Sequence, residues 1–286
     1  MGVLNATPDS FSDGFSTTTA AIEHGLRMMA EGADIIDVGG ESTRPGASGV
    51  TATVEQARVL PVIEALVAQG AIVSVDTMRA TTALAAIQRG ANLVNDVSGG
   101  LMDTRMAAVI AEHPGVGFVV SHWRGPAGGA DTHTDPVAEV GDELAARVQS
   151  LIEAGVARSQ LIVDPGLGFA KSAETNWRLL AGIEQLHQRL GLPLLIGASR
   201  KRFLGAVVGD AAVVVSEANT TSDSAVVVEN PRPRTVAEQR RYATVAVTAL
   251  AAASGAWAVR VHDVAANRDA IAVAAAWVAH KSPATK

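Results

Sequence analysis

The chain contains no cysteine, which excludes disulfides and thiolate metal centres and fits a reducing compartment. Aromatic residues make up only 3% of it while apolar residues reach 48%, so a core has to be assembled from Ala, Val, Leu and Ile. A formal net charge of −6 gives no electrostatic basis for a nucleic-acid partner. No apolar run reaches the roughly 18 residues of a membrane span. Met1-Gly2-Val3-Leu4 has neither the basic region nor the apolar stretch of a secretory signal. The expectation is a soluble, cytoplasmic protein. Its 286 residues suit one α/β barrel, which commonly takes about 250.

What the chain does have is one phrase written many times. Leu161-Ile162-Val163 runs into Asp164 and then into a turn through Pro165, Gly166, Gly168 and Phe169. Met1 to Leu4 ends at Asn5, and Ile35-Ile36-Asp37-Val38 leads into Gly39-Gly40-Glu41. Ile72 to Val75 ends in Asp76-Thr77, and Leu93-Val94 ends in Asn95-Asp96. Val116 to Val120 leads to Ser121-His122-Trp123-Arg124, Leu194 to Ile196 to Gly197 and Ser199-Arg200-Lys201, and Ala258 to Val261 to His262-Asp263. Short apolar runs alternating with helical stretches read as parallel strands buried on both faces. The spacing predicts helices at Thr19–Glu31, Thr53–Gln69 (kinked at Pro61), Arg79–Gln88, Glu174–Leu190 and Asn267–Ala279, with others near Val137–Ile152 and from Val236 to Gly255. Eight strand–helix repeats with right-handed crossovers close most economically into a single-domain TIM (β/α)8 barrel over residues 1–286. An open doubly wound sheet is the alternative, and no repeat carries its Gly-x-Gly-x-x-Gly turn. Residues 206–233 break the rhythm and read as a flexible excursion.

The polar groups at the strand ends fall into two sets. Asp76, Asn95 and Asp164 offer two carboxylates and an amide, suited to a flat heterocycle with an amidine-like N–H edge, and Lys201 adds a donor. Asn5, Arg44, Arg260 and His262 are neutral or cationic and suit an anion, most simply a phosphate or diphosphate. Asp96 and Asp263 read equally as helix caps. The remaining histidines, among them His24, His113, His133, His187 and His280, show no metal-ligand spacing.

At this point a resemblance becomes specific. Asn5-Ala6-Thr7-Pro8-Asp9-Ser10-Phe11-Ser12-Asp13-Gly14 and Asp37-Val38-Gly39-Gly40-Glu41-Ser42-Thr43-Arg44-Pro45-Gly46 resemble the two signatures of the dihydropteroate synthases. Segments around Asp76, Asn95, Asp164–Phe169, Gly197–Lys201 and Arg260–His262 are similar to that family in the same order. The resemblance implies condensation of 6-hydroxymethyl-7,8-dihydropterin diphosphate with 4-aminobenzoate, in folate synthesis, with sulfonamides as inhibitors. It implies a pterin pocket of Asp76, Asn95, Asp164 and Lys201 and a diphosphate site of Asn5, Arg44, Arg260 and His262. It further implies an aminobenzoate site of Thr43, Pro45, Phe169 and Ser199, Mg²⁺ near Asn5 and Asp13, and a catalytic set of Asp13, Arg44, Lys201 and Arg260. Two mobile loops, about Thr7–Ser16 and Glu41–Gly49, and a homodimer are also implied. The chain departs from the family pattern at Phe15, where a glycine is usual, and at Ser121, where a methionine is common. A non-catalytic pterin-binding paralogue and a corrinoid methyltransferase domain are the other readings, and neither predicts amine-dependent diphosphate release.

Overall fold

A computed structural model describes residues 1–7, 17–41, 49–125, 129–208, 213–215, 226–228 and 236–280. Six parallel strands follow one another in both sequence and space: β1 (Gly2–Asn5), β2 (Ile35–Gly39), β3 (Ile72–Asp76), β4 (Leu93–Asp96), β5 (Gly117–Ser121) and β6 (Leu161–Asp164). Then come β7 (Leu195–Ile196), the antiparallel pair β8 (Val213–Val215) and β9 (Val226–Val228), and β10 (Ala258–Val259), which pairs parallel with β7. Two parallel bridges, Val163 to Leu194 and Gly2 to Val261, join the pieces. Val163 N donates to Pro193 O, Val3 N to Val261 O and Val261 N to Met1 O, each over 2.9 Å. The ring therefore closes in the order β1 to β7, then β10, as an eight-stranded barrel.

Ten helices lie among the described residues: α1 (Thr17–Ala30), α2 (Ala52–Ala68), α3 (Ala80–Gln88), α4 (Met106–Ala111), α5 (Pro136–Glu153), α6 (Ala173–Ala181), α7 (Ile183–Leu190), α8 (Arg202–Val208), α9 (Val236–Ala253) and α10 (Val264–Ala279). Most match the expected spans to within one to three residues, and α2 runs through Pro61. One expectation needs correction. The single helix predicted over Glu174–Leu190 is two, parted at Gly182, where a Cβ would lie 2.6 Å from Val137 Cγ2. Close packing against α5 thus breaks a pattern that is helical in the sequence. Within 206–233, Ala206–Val208 complete α8 and the valine runs of β8 and β9 pair with each other, while the rest of the stretch lies outside the described residues. Valine-rich runs favour a ladder because branched side chains fit a pleated surface.

Strand alternation divides the burial into two cores. Ile36, Val38, Val73, Val75, Val94, Phe118, Val120 and Val163 belong to a large outer core shared with the helices. Met1, just before β1, and Ile35, Leu93, Val119, Ile162 and Leu195, from five different strands, form a second cluster with Ala258 of β10. A mutual contact among so many strands is possible only inside the ring. Side chains two residues further along a strand point the same way. Above this apolar plug the interior therefore presents Asp37 after Ile35, Asn95 after Leu93, Asp164 after Ile162, Gly197 after Leu195 and Arg260 after Ala258. The plug is the floor of the site.

Candidate active site

Register sets the height of each group. Asn5 is level with Gly39, Gly39 with Asp76, and Asp76 with Asn95, while Ser121 is level with Asp164. The predicted strand-end residues therefore share one mouth of the barrel, as the C-terminal face of a parallel barrel requires.

One half of the mouth is organised by Asp37, a residue that the strand-end reading left inside β2 as backbone. Asp37 is fully buried. Its Oδ2 accepts from Arg260 Nε at 2.6 Å and from Asn95 Nδ2 at 3.0 Å. Arg260 also donates through Nη2 to Asp76 Oδ2 at 2.6 Å. One guanidinium thus bridges two interior carboxylates, a planar fork that lysine cannot reproduce. Burial pushes the Asp76 carboxyl up to about 7, Arg260 pulls against it, and Asp37, Asp96 and Glu55 reinforce it by like-charge repulsion. For Arg260 burial works against the charge, but Asp37, Asp76 and Asp164 outweigh it and raise the guanidinium further. Arg260, expected among the anion-binding groups, is thus also the counter-ion of the expected pterin carboxylate.

The other half lies around Gly197. A Cβ there would stand 3.4 Å from Asp164 Oδ2 and 3.9 Å from Lys201 Nζ, so both groups lie against this one backbone position. Asp164 Oδ1 accepts from Gly166 N at 2.7 Å. Burial raises its pKa while Lys201, the Gly166 bond, Arg260 and Lys171 lower it. Burial brings the Lys201 ammonium down to about 8, against the attraction of Asp164. Lys201 Nζ donates to Leu167 O and lies 5.0 Å from the centre of the Phe169 ring, within cation–π range. Arg260 influences both Asp164 and Lys201, which ties the two halves into one electrostatic unit.

Of the remaining predicted residues, Ser199 and His262 meet, with Ser199 Oγ 3.0 Å from His262 Nδ1 and accepting from His262 N at 3.3 Å. Asn5 is half-buried at the end of β1. Asp13, Thr43, Arg44 and Pro45 lie outside the described residues, as do Phe15 and most of both expected loops. Asp96 is a turn cap, accepting from Ser98 N, Ser98 Oγ and Gly100 N at 2.6–2.9 Å. Asp263 caps no backbone N–H with its side chain, which pairs with Arg241.

Two buried groups escaped the sequence reading. Glu55 of α2, 1% exposed, accepts from Thr77 Oγ1 at 2.8 Å and Thr82 Oγ1 at 2.6 Å. It also pairs with Arg79 at 3.2 Å, and Arg79 reaches Glu41 Oε2 at 2.5 Å and Val50 O at 2.6 Å. Both ends of the chain segment bearing Thr43, Arg44 and Pro45 are thereby anchored beside β3. A glutamate in the first turn of an amphipathic helix reads as an ordinary solvated charge, and only the docking of α2 beside α3 buries it. The second group, Asp37, had a weak signal, because a carboxylate within an apolar strand run has to be paired.

Among the described residues no group of three or more His, Asp or Glu is placed to hold a metal ion, and no helix is long and apolar enough to cross a membrane. Residues 1–262 match the family model described as pterin binding enzyme. The dihydropteroate synthase of Mycobacterium leprae (strain TN) is 48% identical over 289 aligned positions, covering 99% of this chain and 94% of that protein. The structure of Xanthomonas albilineans dihydropteroate synthase with 4-aminobenzoic acid superposes with a TM-score of 0.84 at 41% identity, covering 98% of this chain and 93% of that one. Yersinia pestis dihydropteroate synthase, solved as a sulfonamide drug complex, superposes with a TM-score of 0.82 at 32% identity, covering 97% and 93%.

Proposed function

The chain belongs to the pterin-binding enzyme family and, within it, to the dihydropteroate synthases, and from this premise we propose that it condenses 6-hydroxymethyl-7,8-dihydropterin diphosphate with 4-aminobenzoate. The products are 7,8-dihydropteroate and diphosphate, so the chain is a transferase of folate biosynthesis. The observation that carries the reading is the joint mouth of Asp76, Asn95, Asp164, Lys201 and Arg260 above an apolar floor.

The pterin ring enters over that floor. Its N–H edge donates to Asp164 and Asp76, Asn95 offers an amide, and Lys201 donates to a ring carbonyl or nitrogen. Donors from the ring offset the burial that raises both carboxyls, so binding favours their charged forms. Those charges in turn favour positive charge on the ring methylene as its bond to the diphosphate oxygen lengthens. Arg260, Asn5, His262 and Arg44 take the negative charge growing on the leaving group. Asn5 and Asp13 supply hard oxygen donors suited to Mg²⁺, which when bound neutralises diphosphate charge. Departure is dissociative, SN1-like, and the weakly nucleophilic amine of 4-aminobenzoate, held by Thr43, Pro45, Phe169 and Ser199, then captures the methylene. Sulfonamides compete for the same place.

A homodimer belongs to the same reading. Helices α9 and α10 pack together and leave Tyr242, Leu250, Val273 and Trp277 more than half exposed, an apolar surface of the kind a partner covers.

Mixing the two substrates with Mg²⁺ should release diphosphate only when 4-aminobenzoate is present. Release that does not depend on the amine, or none, refutes the assignment. The dissociative step is tested separately, by positional isotope exchange within the diphosphate while a nonreactive amine analogue occupies the second site. Absence of exchange there counts against it.

A further inference from the structure

Lys171 takes no part in the chemistry above, yet its ammonium is enclosed among acceptors beside the pocket. Nζ lies 2.9 Å from His122 Nδ1 and donates to Gly166 O at 3.0 Å and to Phe169 O at 3.2 Å. Three acceptors match the three donors of an ammonium. Burial brings this ammonium down to about 7, with Lys201 and Arg124 adding to the effect and Asp164 and Asp131 opposing it. A lysine is retained at such a point only if its bonds repay the loss of hydration.

The segment that Lys171 grips does little to hold itself. Gly166, Gly168 and Ala170 have φ of 66°, 81° and 46°, and a positive φ at alanine is strained. Within it Phe169 N donates to Gly166 O at 3.2 Å, and Gly166 N donates back to Asp164 Oδ1 at 2.7 Å. Gly168 N donates to Asn176 Oδ1 at 2.7 Å, and Gly166 lies so close to His122 O that a Cβ would come within 2.0 Å of it. Between the two carbonyls bound by Lys171 lies Leu167, whose carbonyl accepts from Lys201 Nζ. His122 completes the brace: burial holds its pKa down to about 4, its Nδ1 faces the ammonium, and its Nε2 lies 3.0 Å from Glu143 Oε2.

We propose that Lys171 is a positioning residue for pterin recognition: by clamping the Gly166 and Phe169 carbonyls it fixes the Leu167 carbonyl between them, and that carbonyl aims Lys201 at the ring. The inference rests on the pterin reading of Lys201 given above. It requires that Lys171 matter only while Lys201 is present to be aimed, which a merely structural lysine would not.

The test is a double-mutant cycle on the full chain, reading calorimetric Kd for 6-hydroxymethylpterin in wild type, Lys171→Met, Lys201→Met and the double variant. Each single variant should bind about tenfold more weakly, and the double no more weakly than Lys201→Met alone, within about twofold. In steady state, Lys171→Met should raise KM for the pterin diphosphate by a similar factor with kcat changed less, as loss of a contact shared by ground and transition states predicts. Wild-type affinity in Lys171→Met, or losses that multiply to about a hundredfold in the double variant, overturns the proposal while leaving the pterin reading intact. Failure of the wild type to bind the pterin removes both. If Lys171→Met does not melt cooperatively, Lys171→Leu, which likewise offers the carbonyls no donor, replaces it in the same cycle. An affinity equal to wild type in Lys171→Leu overturns the proposal equally.

Discussion

Asp37→Asn perturbs the site at its deepest charge and leaves the shape of the side chain nearly unchanged. Asp37 and Asp76 each sit 2.6 Å from a nitrogen of the same guanidinium, which places their charges on the order of 5 Å apart. At an effective dielectric near 20 that repulsion is about 3 kcal/mol, or about two pKa units. Arg260 already offsets part of it, so we expect removal of the Asp37 charge to lower the Asp76 pKa by about one to two units. A guanidinium freed of one partner pairs more fully with Asp76 and moves it in the same direction. If the charged form of Asp76 accepts the pterin N–H edge, wild-type kcat/KM rises with pH through about 7, where burial and like charges hold Asp76. In Asp37→Asn the same limb should appear about one to two pH units lower. The assay is the pH profile of kcat/KM for the pterin diphosphate, taken with excess 4-aminobenzoate and a thermal melt to verify folding. A limb that stays in place, or moves up, refutes the coupling of Asp37, Arg260 and Asp76.

Three further outcomes follow from the same geometry. Lys201 is brought down to about 8 by burial, so activity should fall as pH rises through that value, and Lys201→Arg should carry activity, however reduced, to higher pH because a guanidinium stays charged. Gly166→Ala puts a Cβ 2.0 Å from His122 O at a φ of 66°, and we expect a loss of about 3 kcal/mol or more in thermal or denaturant unfolding; a wild-type melt would show that this turn can shift freely. Val273→Glu with Trp277→Glu places charges on side chains that are 67% and 68% exposed, so sedimentation velocity should show a monomer in place of a dimer, with an unchanged melt of the isolated subunit.

Much of the site was legible because strand chemistry is local. An apolar run that ends in a carboxylate or amide specifies a buried strand and the group at its end, and this places Asp76, Asn95 and Asp164 at the strand ends where the structure has them. Period-two alternation even explains why a plug residue and a site residue stand two apart, as Ile162 and Asp164 or Ala258 and Arg260 do. The break at Gly182 and the pairing of β8 with β9 escaped the same reasoning, because each depends on what a distant element packs against.

By itself the sequence determined a repeating α/β chain without disulfides, the residues at its strand ends, and the family they resemble. Only the tertiary structure decided which charge meets which. Arg260 finds Asp37 223 residues away because Met1 and Val3 pair with Val261 and close the ring. Lys171 reaches His122 because β5 and β6 lie side by side. The periodicity that forms a strand is set within a few residues, whereas the partner of a buried charge is set by closure of the whole barrel.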